Sequence, residues 1–156
     1  MFRRLLVRCT ALAVVVTIPF ALAVSSPAAA GDVNPCTLVP GSLVTALTSA
    51  PATGELDGSK AVGTDDQETC HYPGEPGKTL LVTYHDDPAQ FDAIKARPQV
   101  RTLSGLDAEA LWWSKPGVIC VLEHGRYVSM NFSGDEKKAA PSPAFLAAAK
   151  AAASKL

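Results

Sequence analysis

The sequence predicts an α+β domain, a mainly antiparallel sheet with helices on one or both faces. Three observations predict it. Two apolar segments at helical spacing are bounded by proline, strand-like segments are joined by hairpin chemistry such as PGEPG, and the chain closes on SPAFLAAAKAAASKL, rich in helix formers. Hairpins outnumber long crossovers, which favours antiparallel pairing.

The elements follow in the order α-β-β-α-β-β-β-α. VPGSLVTALTSAP places Leu43, Val44 and Leu47 at helical spacing and stops at Pro51. ATGELDGSKAVGTDD is small and polar and reads as a loop or weak edge strand. ETCHY and TLLVTYH then form a hairpin around PGEPG. In DDPAQFDAIKARP, Asp87 is the expected N-cap, Pro88 suits the first turn, and Gln90 completes a capping box. Phe91 and Ile94 face the core, and Pro98 ends the helix. QVRTL, EALWWS and the long pair GVICVLEHGRYVSMNF supply the remaining strands. The last helix is capped by Ser142, starts at Pro143, and offers Phe145, Leu146, Ala149 and Leu156 to the core.

The long pair fixes the faces of the sheet. With His124-Gly125 as a type I′ turn, Glu123 opposes Arg126. Ile119, Val121, Val128, Met130 and Phe132 then share one face, which is core. Val118, Cys120, Leu122, Tyr127, Ser129 and Asn131 share the other, too apolar for open water and too mixed for a full core. A helix or a ligand groove would cover it. Trp112 and Trp113 must likewise face opposite ways, so one of them needs a helix, a partner or a ligand as cover. Trp113, Tyr127 and His71 are the candidate contacts.

Residues 1–30 have the layout of a secretory signal peptide. Arg3, Arg4 and Arg8 precede the apolar run ALAVVVTIPFALAV, and Ala28 and Ala30 suit cleavage after Ala30. Residues 31–156 then form a single α+β domain, secreted or cell-wall associated, with no stable membrane anchor after cleavage. The three arginines are among 14 basic residues and none of the 15 acidic residues precedes Gly31, so the mature chain carries a formal charge of −4. That balance argues against a nucleic-acid partner.

Chemistry-bearing residues are sparse. Cys70 and His71 are adjacent and point to opposite faces of a strand, and His124 sits at a turn, so no metal site is expected. Cys120 has no surrounding thiol-enzyme signature, and no G-x-S-x-G turn or phosphate loop occurs. Asp65-Asp66 and Asp86-Asp87 read as loop charge and a helix cap. No catalytic residue and no cofactor is assigned. Cys36, Cys70 and Cys120 follow the signal segment, and export favours one disulfide with one thiol left over.

NPCTLV before a short helix, TCHYPG, LSGLDAEALWW and a final helix ending AAASKL occur in this order over most of the mature chain. Together they resemble a group of small actinobacterial exported proteins and lipoproteins of unknown function. These open on Asp/Asn-Pro-Cys and carry a later Cys-x-Tyr/Trp, and their shape is similar to the α/β/α sandwich of the photosystem subunit PsbP. The lipid-anchor cysteine is missing here, and Asp107 and Ala108 replace a Gly and an Asp of the group's pattern. The resemblance implies a structural Cys36–Cys70 disulfide with Cys120 reduced. The expected function is an exported, non-enzymatic binding or accessory domain for an unknown small molecule or protein of the envelope. One alternative is a secreted inhibitor contacting its target through residues 54–67 or 73–78, and another is a small hydrolase-type enzyme.

Overall fold

The computed structural model of the chain describes residues 33–57 and 67–156. The expected signal segment and residues 58–66 of the polar stretch lie outside them. A 3-10 turn at Pro35–Thr37 leads into α1 (Gly41–Thr48). The strands are β1 (Glu55–Asp57), β2 (Glu68–Tyr72), β3 (Leu80–His85), β4 (Val100–Leu103), β5 (Glu109–Trp113), β6 (Val118–Glu123) and β7 (Arg126–Phe132). Helix α2 (Ala89–Lys95) joins β3 to β4, and α3 (Pro143–Ala153) follows β7.

The fold is α+β. The described strands form one seven-stranded sheet in the order β1-β2-β3-β7-β6-β5-β4. Every neighbouring pair is antiparallel. The hairpin β2–β3 and the meander β4 to β7 are joined by β3–β7 pairing. Helix α2 must therefore carry the chain from mid-sheet to the far edge. The sheet has two strands more than the expected order. One is the short edge strand β1, and the other arises because the last hairpin counts as two strands.

That hairpin turns where expected. His124 has φ 50° and Gly125 φ 78°, both in the left-handed region a type I′ turn requires, and Glu123 faces Arg126. Alternation then delivers Ile119, Val121, Val128, Met130 and Phe132 to one face, all buried. Helices α1 and α3 cover this face. Val44 and Leu47 enter from α1, and Phe145, Ala148, Ala149 and Ala152 from α3. The alanines let α3 lie close to the sheet, and Phe145 meets the edge of Trp112 at 6.3 Å. Leu146 and Leu156 pack against this core partly buried, and Ala148 and Ala152 are buried beside them.

The Cys36 and Cys70 sulfurs lie 1.89 Å apart with Cα atoms at 5.1 Å, which is disulfide distance. The Tyr72 hydroxyl donates to the Cys36 carbonyl at 2.7 Å, a second tie between the first turn and β2. Cys120 is unpaired and buried on the opposite face of the sheet.

Helix α2 departs from expectation at its start. The helix begins at Ala89, and Asp87 Oδ1 accepts from the Ala89 N–H at 2.8 Å. Gln90 closes no capping box. Its Oε1 accepts from the Tyr127 hydroxyl at 3.0 Å and from Gln67 Nε2 at 3.3 Å, because the helix packs close enough for a side chain to reach the sheet.

Candidate functional site

The α2 face of the sheet is built in rows that cross the strands. One row runs His71, Leu81, Asn131, Val118, Trp113 and Val100, each residue the register partner of the next. The next runs Thr69, Thr83, Ser129, Cys120 and Leu111. A third holds His85, Tyr127 and Leu122.

Helix α2 seals part of this face. Phe91 is fully buried against Leu111, Cys120 and Tyr127, with Ile94, Val100, Val118 and Leu122 packed around them. The mixed face is thus helix-covered toward β5 and β6. His71, Leu81, Thr83, Ser129 and Asn131, on β2, β3 and β7, are only partly buried.

Under the edge of α2 lies a polar cluster that the sequence did not disclose. His85 Nε2 and Ser129 Oγ are 2.9 Å apart, and the His85 ring stacks on Tyr127. Burial lowers the His85 pKa to about 4 against a smaller opposing pull from Asp86. The ring is therefore neutral at pH 7, and its Nδ1 has no partner among the described residues. Cys120 is the register partner of Ser129, and burial pushes its thiol up to about 12. It is a protonated core thiol rather than an activated nucleophile. His85 and Ser129 make a hydrogen-bonded pair, but no described carboxylate orients the free ring nitrogen as serine-type catalysis requires.

Of the candidate contacts, Tyr127 is 1% exposed, so it supports α2 and offers no surface. His71 and Trp113 are partly buried in the same row, four strand spacings or roughly 19 Å apart. Arg97, exposed at the end of α2, lies with its Cζ 4.5 Å from the Trp113 ring centroid. This cation–π contact covers part of the tryptophan while leaving the charge in water. His71 and Cys70 face opposite ways, as strand alternation demands.

Elsewhere, an open depression of about 170 Å³ lies between the β6–β7 turn and the end of α3. Lys150 and Asp107 pair there at 3.2 Å, and His124 Nδ1 lies 3.7 Å from Glu123. The β2–β3 loop is held firmly. Glu75 N–H donates to the Thr48 carbonyl at 3.0 Å, and Lys78 Nζ reaches Ser49 at 2.8 Å and Glu75 at 2.9 Å. A Cβ on Gly74 would meet the Lys78 carbonyl at 2.1 Å, so only glycine fits there. Among the described residues no three His, Cys, Asp or Glu side chains are grouped to hold a metal ion, and no helix is long and apolar enough to cross a membrane.

No protein-family profile, curated protein or solved structure gives a match to the chain.

Proposed function

We propose that the chain is an exported, non-enzymatic binding or accessory domain of the cell envelope or extracellular medium. The observation that carries this reading is the row His71, Leu81, Asn131, Val118 and Trp113, a mixed polar and apolar strip that α2 only partly covers. Its aromatic and amide groups suit contact with a protein or small molecule. The arginine-rich start and apolar run of residues 1–30 support export, and the resemblance to small actinobacterial envelope proteins supports the compartment. Capture from an envelope extract of the producing cells tests it. The wild type retains a component, and an Asn131→Arg variant with unchanged circular dichroism loses it. Equal capture by both removes this surface from the account.

A second reading, a secreted inhibitor, is favoured by one observation. The Pro73–Lys78 loop is pinned to Thr48 and Ser49 while Glu75, Pro76 and Gly77 stay exposed. A pinned, exposed loop loses little entropy on binding. Here Pro76→Ala would weaken target binding while Asn131→Arg would not.

A further inference from the structure

Strand β4 ends the sheet, and its backbone can be assigned side by side. The Trp113 carbonyl accepts from the Gly117 N–H at 3.0 Å, so Trp113 turns its peptide groups toward β6. Alternation turns those of Trp112 and Ala110 toward β4, onto Arg101 and Leu103. Val100 and Thr102 therefore direct theirs away from the sheet. The Val100 N–H is already spent on the Arg97 carbonyl at 3.1 Å. Among the described residues the Val100 carbonyl and both peptide groups of Thr102 find no partner, on a strand with no proline to block them.

The side chains along this edge carry one sign of charge. Arg101 and Thr102 are exposed, and Arg101 makes no ion pair among the described residues. Arg97 lies over the Trp113 ring on the α2 face, whereas Arg101, the register partner of Trp112, lies on the other face. The nearby acids Glu109 and Asp107 are each bound to a lysine, Lys95 and Lys150. A second copy pairing through its own β4 would bring the same two arginines to the junction, which like-charge repulsion disfavours. The opposite edge, β1, carries Glu55 and Asp57 and is acidic.

We infer that the β4 edge, Val100 to Leu103, receives an extended acidic peptide segment of a partner protein as an additional antiparallel strand. This rests on the reading of the chain as a binding domain and names its partner class. The guest residue opposite Thr102 exchanges two backbone hydrogen bonds with it. Guest side chains on the α2 face extend the row that ends in Trp113 and Val100, and should be apolar. Those on the other face meet Arg101 and should be Asp or Glu.

The test uses the isotopically labelled protein in the form its cell accumulates, with an acetylated, amidated peptide alternating valine and glutamate as probe. The Thr102 amide should exchange freely in the protein alone and become protected on titration, with shifts confined to β4, Arg97 and Trp113. Replacing glutamate by lysine in the probe, or making Arg101→Glu, should weaken binding roughly fivefold through the charge term. Thr102→Pro, tolerated where an edge N–H points outward, should weaken it roughly fivefold or more by removing the donor. An unprotected Thr102 at saturating probe overturns the inference, as does equal binding of the glutamate and lysine probes. Concentration-dependent protection of Thr102 without probe also overturns it, by showing that a second copy occupies the edge. If Asn131→Arg abolishes envelope capture while the probe ignores β4, only the edge assignment falls. If neither responds, the binding-domain reading falls with it.

Discussion

His85 on β3 and Tyr127 on β7 stack face to face, with ring centroids 4.0 Å apart and planes 4° from parallel. The pair joins the two halves of the sheet at the β3–β7 seam. Tyr127 passes the contact on to α2, edge-on to Phe91 at 6.0 Å and through its hydroxyl to Gln90. One stacked pair thus ties the seam to the helix that covers it.

Stability should fall on mild acidification because of His85. The unfolded chain takes up its proton near pH 6.5, whereas the buried ring resists it down to about 4. The contribution is whole above pH 6.5 and is lost as pH drops through that window, by up to about 3 kcal/mol. Urea denaturation at pH 7, 5.5 and 4.5 should show the loss, and His85→Gln should flatten the profile there.

Asp135 titrates lower. It is fully buried. Burial raises its pKa, but Lys138 at 2.6 Å and the Ser142 N–H at 2.5 Å outweigh that and hold the carboxyl below its usual 3.8. Its stabilisation is present above the unfolded pKa and is lost as pH falls below it. Asp135→Ala should cost about 2–4 kcal/mol by leaving the Ser142 N–H unpaired where β7 passes into α3, measured by thermal and urea denaturation at pH 7.

Removing the Tyr127 hydroxyl should loosen α2 without unfolding the sheet. Tyr127→Phe should cost about 1 kcal/mol in urea denaturation. In a double-mutant cycle with Gln90→Ala the double variant should lose less than the sum of the two single losses, because each removes the same bond.

The cysteines should separate cleanly by chemistry. Non-reducing peptide mapping should link Cys36 to Cys70, whose separation of 34 residues makes Cys36→Ser/Cys70→Ser cost about 2–4 kcal/mol. Cys120 should react with a thiol reagent only as fast as the chain opens, because it is buried and its pKa is pushed up to about 12. Since Cys70 and Cys120 occupy opposite faces, exchange between them needs unfolding.

Much of the fold was legible because it rests on local rules. Gly125 and alternation of apolar residues fixed the β6–β7 register, and Ser142-Pro143 marked the start of α3. The strand order was less so, since the β3–β7 pairing joins residues far apart in sequence and no local pattern encodes it. The capping box at Asp87 and Gln90 failed for a tertiary reason, as Tyr127 offered Gln90 a better donor. His85 and Ser129 are likewise far apart in sequence, and the β3–β7 pairing brings them together. Trp113 and His71 were marked as contacts from strand parity alone, which places residues on a face but not under a helix. Tyr127, marked by the same rule, proved to lie beneath α2.

The central claim is that the half-covered strip on the α2 face meets a partner. Photo-crosslinking in the producing cells tests it most directly, with a benzophenone side chain at Asn131 in the strip and, as control, at the exposed Ala147 on α3. Asn131 should give a discrete adduct that Ala147 does not. Adducts from Ala147 alone, or from neither position, would contradict the account.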